Sequence, residues 1–253
     1  DVLRVKKSEI AHIEVLKQGM TNRSFMFTCQ NKKFIIRIPG EGTGFLINRQ
    51  QEFDVYETIK DKGLCDNPIY INPQNGYKIT EFLPQVKTCN ASSLKDVKHC
   101  MEKLRTLHNM KLQVKHTFDI FKQIDFYESL WAGTPSHYLD YQQVKENVFS
   151  LQAYIDKQSK QYCLTHIDAV PDNFLFSGDK IQLTDWEYAG MQDPHVDIAM
   201  FAIYSFYTQK EADVLIDLYF EGKCDRATRL KIYCYMAAGG LLWSNWCEYK
   251  RKL

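Results

Sequence analysis

The sequence predicts an α+β chain of two lobes: a small antiparallel β-rich N-terminal lobe over residues 1–84 and a larger helical C-terminal lobe over residues 85–253. Three observations predict it. Up to Phe82 the apolar runs are short, rich in Ile and Phe, and separated by polar turns, as in antiparallel strands. After Leu83-Pro84, which breaks the last of these runs, apolar residues recur at three- and four-residue spacing over long stretches, as in amphipathic helices. No internal repeat or low-complexity segment interrupts either half.

Taken in order, residues 24–29 and 34–38 read as strands joined by the polar turn Gln30-Asn31-Lys32-Lys33. Residues 48–62 read as a helix with Phe53, Tyr56 and Ile59 on one face and Gly63 as its stop. Residues 77–82 form another strand. Ser93 caps a helix reaching about Asn109, with Leu94, Val97, Met101, Leu104 and His108 at helical spacing. Residues 141–155, 195–207, 211–220 and 228–249 are helical by the same criterion. Among them, 162–165, 174–176 and 181–183 read as short buried strands, the last two joined by the turn Ser177-Gly178-Asp179.

Composition narrows the class. A chain of 253 residues with 45% hydrophobic content can bury one large core or two lobes. A formal net charge of +1 gives no general field for nucleic acid or an anionic membrane surface, so neither is an expected partner. No apolar stretch approaches the ~18 residues that span a bilayer. The eight cysteines are scattered without a Cys-x-x-Cys pair, and no signal-like apolar segment is present. Reduced thiols and a cytoplasmic location follow as expectations.

Two runs carry the chemistry. His166-Ile167-Asp168-Ala169-Val170-Pro171-Asp172-Asn173 and Leu183-Thr184-Asp185-Trp186-Glu187 each lie beside a strand-like segment. Metal-dependent phosphoryl transfer needs hard oxygen ligands for Mg²⁺ and a group that orients the incoming hydroxyl and accepts its proton. Asn173 and Asp185 offer the ligands, and Asp168 is the candidate base; His166 suits bracing the loop. Read alone, Asp168 is equally a loop carboxylate capping its own turn; the company of Asn173 and Asp185 favours the catalytic reading. Glu187 is either a further partner of the metal site or an anchor for the loop. Arg37 is a lone cation inside the apolar run Phe34-Ile35-Ile36-Arg37-Ile38. A buried charge needs a partner, and Glu52 is placed to be one, with a purely structural salt bridge as the alternative. The turn Gly19-Met20-Thr21-Asn22 can bring backbone N–H groups and the Thr21 hydroxyl up to a phosphate, although by itself a single Gly here more often marks an ordinary hairpin turn.

The spacing His166-x-Asp168-x-x-Pro171-x-Asn173, followed by a strand and Asp185-Trp186-Glu187, resembles the catalytic core of the aminoglycoside phosphotransferase and choline kinase superfamily, which has a protein-kinase-like fold. Within it, Asp185-Trp186-Glu187-Tyr188-Ala189-Gly190 and Asp193-Pro194-His195-Val196-Asp197-Ile198-Ala199 are most similar to bacterial choline kinases of the LicA type, and the resemblance runs from the Gly19 turn to Trp243-x-x-Trp246. It implies ATP and Mg²⁺ as cofactors, with the metal on Asn173 and Asp185. It places the nucleotide in the N-terminal lobe against Gly19, Thr21 and Asn22, makes Arg37 the phosphate-binding cation and Glu52 its orienting carboxylate, and sets Glu81 and Leu83 at the adenine edge. In similar kinases an Asp at position 197, opening a helix, receives hydrogen bonds from the catalytic-loop backbone. His195 is then a local contact and His108 a satisfied helix histidine.

The acceptor is read from aromatic residues. A trimethylammonium group has no N–H to donate and is held by aromatic faces, whereas a polycationic aminoglycoside calls for carboxylates. Trp243 and Trp246, three apart, share a helix face, and Tyr188, Phe201 and Tyr204 lie nearby in the sequence. Such residues are ordinarily core, but choline kinases carry Trp-x-x-Trp at this place, so the resemblance implies a cage of Tyr188, Tyr204, Trp243 and Trp246, with Asp168 and Glu187 toward the acceptor. The expected activity is transfer of the γ-phosphoryl of ATP to choline. Ethanolamine kinase, an aminoglycoside-type phosphotransferase and a catalytically silent binding module are the alternatives.

Overall fold

A computed structural model describes residues 2–18, 21–66 and 68–252 and has the expected α+β architecture. The chain forms two compact units, Asp1–Lys87 with Leu175–Tyr188, and Thr88–Phe174 with Ala189–Leu253.

The first unit is built on a five-stranded antiparallel sheet of β1 (Ile10–Gln18), β2 (Asn22–Cys29), β3 (Lys32–Pro39), β4 (Tyr70–Ile71) and β5 (Lys78–Glu81), in the order β1-β2-β3-β5-β4. The β2–β3 turn is tighter than the sequence suggested. Gln30 and Asn31 both take positive φ (49° and 60°), the two-residue geometry that matches strand twist, so Lys32 and Lys33 belong to β3. Phe27 and Phe34, opposite each other in register, stack at 5.5 Å, and with Cys29 and Ile79 they form the apolar centre of one sheet face.

Helix α1 (Arg49–Ile59) starts where Asn48 accepts the amides of Gln50 and Gln51, both at 3.1 Å. It ends at Ile59, earlier than expected. Its buried face is Glu52, Val55, Tyr56 and Ile59, so a carboxylate shares the stripe with apolar residues. A short strand β6 (Lys87–Thr88) follows the sheet. Much later in the chain, β8 (Phe174–Ser177) and β9 (Lys180–Leu183) form a hairpin, and the Leu183 amide donates to the Leu64 carbonyl at 2.8 Å, which ties the Asp185 segment to the first unit.

The second unit is mostly helical: α2 (Leu94–Asn109), α3 (Ile120–Trp131), α4 (Tyr141–Ser150), α5 (Gln152–Lys157), α6 (His195–Tyr204), α7 (Gln209–Phe220) and α8 (Arg226–Lys252). Ser93 caps α2 through the Asp96 amide at 3.3 Å, and Val97, Met101, Leu104 and His108 are buried at the expected spacing, while Leu94 is exposed. Helix α3, not anticipated from the sequence, is capped by Asp119 and buries Ile120, Phe121, Ile124, Tyr127 and Trp131. The stretch read as one helix over 141–155 breaks at Leu151 into α4 and α5. The long α8 packs on α3, α4 and α6. Gly239 permits the α6 contact, since a Cβ there would lie 3.0 Å from Met200 Sδ and 3.1 Å from Ile203 Cδ1. A two-stranded antiparallel pair, β7 (Cys163–Thr165) with β10 (Gly190–Gln192), completes the unit. All eight cysteines are free thiols. Among the described residues, no helix is long and apolar enough to cross a membrane.

Candidate active site

The His166–Asn173 segment leaves β7 and reaches β8 through a 3-10 turn at Pro171–Asn173. Ile167 holds φ at 70°, a conformation costly for a β-branched residue. Asp197, in the first turn of α6 and fully buried, stabilises it: its Oδ1 accepts the Ile167 amide at 2.7 Å and its Oδ2 accepts the His166 amide at 3.0 Å. His108 Nε2 lies 2.9 Å from the same Oδ2, and its Nδ1 lies 2.8 Å from the Tyr219 hydroxyl. Both partners of His108 are therefore buried and polar, and the loop backbone is braced by a chain of groups that begins on α7.

Asp168, next in the chain, is half-buried. Asn173 Nδ2 donates to the Asp168 carbonyl at 2.8 Å and to its carboxylate Oδ2 at 3.1 Å. With the amide nitrogen so engaged, the Asn173 carbonyl oxygen is the atom suited to a cation.

A charge cluster occupies the first unit. Arg37, in the middle of β3 and 6% exposed, pairs with Glu52, reaches Asp185 Oδ1 at 3.1 Å, and lies 3.8 Å from Glu187 Oε2. Burial works against the Arg37 charge, but the carboxylates of Glu52, Asp185 and Glu187 outweigh it and hold the guanidinium firmly protonated. For Glu52 burial opposes ionisation too, and Arg37 and Arg49 overcome it, keeping the carboxylate below its ordinary range. Glu187 moves the other way, pushed up to about 7 by burial and by the charge of Asp185. Its Oε2 accepts from Asn22 Nδ2 at 2.9 Å and Arg49 Nη1 at 3.1 Å. Asp185 itself adopts φ 64°, and its side chain is 32% exposed.

Ligand atoms of Glu52, Asp185 and Glu187 lie within 4.8 Å of one another, and such hard oxygen donors fit Mg²⁺. Arg37 touches Asp185 through Oδ1, but at 32% exposure the Asp185 side chain is far more open than those of Glu52 and Glu187, which makes it the best placed of the three as a ligand. Arg37 Nε is a buried donor without a hydrogen-bond partner among the described residues, as expected of a group that serves an anionic ligand.

Of the other nucleotide candidates, Asn22 is buried and Thr21 half-buried, with Asn22 Nδ2 3.2 Å from Thr21 Oγ1; Gly19 lies outside the described residues. Glu81, at the end of β5, is exposed opposite Phe34, and Leu83 is half-buried beyond it. Neither Glu81 nor Leu83 makes a described hydrogen bond to the Arg37 cluster.

The aromatic candidates divide. Tyr204, Trp243 and Trp246 form an edge-to-face series in the second unit, with centroids 5.9 Å apart for Tyr204 and Trp243 and 6.3 Å for the two tryptophans. The Tyr204 hydroxyl is pushed well up, by burial first and then by the charge of Asp168, and both tryptophans are buried. Tyr188 is buried and belongs to the first unit. Phe201, fully buried edge-on to Phe174 at 5.7 Å, is core.

Sequence reasoning missed two residues. Arg49 bridges Glu52 and Glu187. Its signal was its position: a cation in the first turn of a helix opposes the helix dipole and calls for a partner. Asn245, fully buried between the two tryptophans in sequence, accepts from Trp131 Nε1 at 3.0 Å and from the Tyr141 hydroxyl at 2.8 Å. An Asn amid apolar helix positions was the available sign.

The sequence matches the choline/ethanolamine kinase family profile over residues 13–222. Protein LicA of Haemophilus influenzae (strain Rd) is 26% identical over 254 residues, covering 92% of this chain and 91% of that protein. The crystal structure of choline kinase LicA from Streptococcus pneumoniae superimposes with a TM-score of 0.85 at 31% identity, covering 96% of this chain and 86% of that one. A LicA structure in complex with AMP matches with a TM-score of 0.84 at 30% identity, covering 98% and 86%. The chain belongs to the choline/ethanolamine kinase family.

Proposed function

We propose that the chain is an ATP- and Mg²⁺-dependent choline kinase that transfers the γ-phosphoryl of ATP to the hydroxyl of choline, giving phosphocholine and ADP. The observation that carries this reading is the edge-to-face series Tyr204, Trp243 and Trp246, in the same unit as the candidate base Asp168. A quaternary ammonium offers no N–H, so aromatic faces are what recognise it, each contributing about 0.5–2 kcal/mol. Tyr188 is assigned to the same acceptor, and Glu187 to support of the Asp185 loop.

Asp168 accepts the hydroxyl proton as the choline oxygen bonds to the γ-phosphorus and the bond to the β–γ bridging oxygen breaks. Asn173 holds the Asp168 carboxylate through its amide nitrogen. Asn173 and Asp185 would hold Mg²⁺, which when bound neutralises phosphate oxygens. Arg37, oriented by Glu52, meets the phosphates, Gly19, Thr21 and Asn22 are assigned to the same phosphates, and Glu81 and Leu83 to the adenine. Residues 1–84 then serve chiefly the nucleotide and 85–253 the acceptor. An ATP-consuming reaction and eight free thiols fit a cytoplasmic location.

The test is Mg²⁺-dependent ADP release with choline, ethanolamine and an aminoglycoside in parallel, with Asp168→Ala as control. Stimulation by choline above the others supports the assignment. Stimulation by ethanolamine alone would transfer the same chemistry to the other substrate of the family's description, and silence with all three would defeat the kinase reading.

A further inference from the structure

Arg49 opens α1 immediately after the Asn48 cap, and its side chain is only 9% exposed. The positive end of a helix disfavours a cation, so local structure does not account for this residue. Its contacts do. Nη1 donates to Glu52 Oε2 at 2.8 Å and to Glu187 Oε2 at 3.1 Å, while Nη2 donates to Asn22 Oδ1 at 3.3 Å. One guanidinium thus joins Asn22 at the start of β2, the helix that orients Arg37, and the loop that carries Asp185.

A second, separate feature of the chain is shaped to this side chain. Gly76 has φ +70°, and a Cβ there would fall 2.6 Å from both Cδ and Nε of Arg49 and 2.9 Å from Pro39 Cγ. The turn that ends in the bond from the Gly76 amide to the Asn72 carbonyl, at 2.8 Å, therefore forms a seat that admits the arginine only because position 76 has no side chain.

The charges explain what the arrangement accomplishes. Arg37 faces Glu52, Asp185 and Glu187, and one cation cannot satisfy three carboxylates. With Arg49 present, Glu52 has one oxygen on each guanidinium, and Glu187 is held by Arg49 and Asn22. Without it, two buried carboxylates would compete for the Arg37 donors and draw the guanidinium away from Asp185.

We propose that Arg49 is a positioning residue for nucleotide binding: it neutralises Glu52 and Glu187 so that Arg37 and Asp185 remain presented to a polyphosphate and its divalent cation. This rests on the kinase reading for the identity of the ligand.

The experiment measures MgATP affinity directly, by calorimetric titration without acceptor, alongside KM for ATP, KM for choline, kcat and thermal melting. The variants are Arg49→Gln, Arg49→Lys, Gly76→Ala and the double change Arg49→Gln with Glu187→Gln. Arg49→Gln weakens MgATP about 10- to 100-fold, the scale of lost charge-assisted hydrogen bonds, with KM for choline within about twofold. Arg49→Lys falls between it and the parent, because the charge is kept and the fork lost. Gly76→Ala weakens MgATP in the same direction. The double variant recovers part of the lost affinity, since a glutamine at position 187 competes less than a carboxylate for the Arg37 donors, while Glu52 still lacks its bond to Arg49. Should Arg49→Gln fail to fold, Gly76→Ala and the double variant decide.

Unchanged MgATP affinity in Arg49→Gln, equal losses for ATP and choline, or a double variant no better than the single one would each overturn the proposal. Because affinity is read without turnover, a parent protein that binds MgATP but leaves choline unphosphorylated would defeat the proposed function and not this inference.

Discussion

The Ile167 amide donates to Asp197 Oδ1 at 2.7 Å while Ile167 itself sits at φ 70°. The strained residue lies directly before Asp168, so the direction in which the candidate base leaves the loop is set by a carboxylate on another helix. Asp197→Asn removes the charge from two backbone hydrogen bonds and from the contact with His108. The expected result is a loss of about 2–4 kcal/mol in unfolding free energy and a fall in kcat at nearly constant ATP affinity. Urea unfolding together with steady-state kinetics checks both.

Asp168→Ala is expected to lower kcat by about 10²–10⁴, the range of general-base contributions, while MgATP binding measured by titration stays near the parent value. Comparable losses in binding and turnover would instead identify Asp168 as a loop-shaping residue.

Trp246→Ala is expected to raise KM for choline by roughly 3- to 30-fold, the equivalent of one aromatic face on a cation, with KM for ATP little moved. A matching rise for ATP would return the tryptophan to the core.

Asn245→Leu leaves the Trp131 indole N–H and the Tyr141 hydroxyl without their shared acceptor. Two stranded buried donors cost about 1–3 kcal/mol each, so a clear drop in melting temperature is expected, larger than that of Asn245→Asp, which keeps an acceptor oxygen.

His195 gives the pH dependence. Burial lowers its pKa from 6.5 to about 4, opposed by Asp193, whose Oδ2 is already engaged by Lys231 at 2.6 Å. The folded pKa lies below the unfolded value, so the unfolded chain binds the extra proton first. The His195 contribution to stability is therefore complete above about pH 6.5 and is lost as the pH falls toward 4, with a slope of up to ~1.4 kcal/mol per pH unit. Denaturant unfolding across that window should show the slope in the parent and a flatter profile in His195→Gln.

The parts legible in the sequence were those with local causes. The Ser93 cap and the spacing from Val97 to His108 specify α2, because capping and a buried stripe act within a few turns. Helix α3 is less legible: Asp119 and the apolar set from Ile120 to Trp131 mark it, but a run rich in Phe, Tyr and Trp carries strand propensity too. The break at Leu151 has no Gly or Pro to announce it. Glu52 was foreseen as the partner for a cation buried in β3, because such a charge demands a carboxylate and few lie close in the chain; that a second arginine shares it was not.

By itself the sequence determined the α+β class, most helices and the strands that flank Asp168 and Asp185, all consequences of periodicity and capping. Only the tertiary structure decided that Asp197 fixes the backbone before Asp168, that Glu187 answers to Asn22 and Arg49, and that Asn245 unites Trp131 with Tyr141. These pairings join residues far apart in the chain. They are selected by sheet register and by the burial of polar groups that must find partners once water is excluded, and no local pattern encodes which partner arrives.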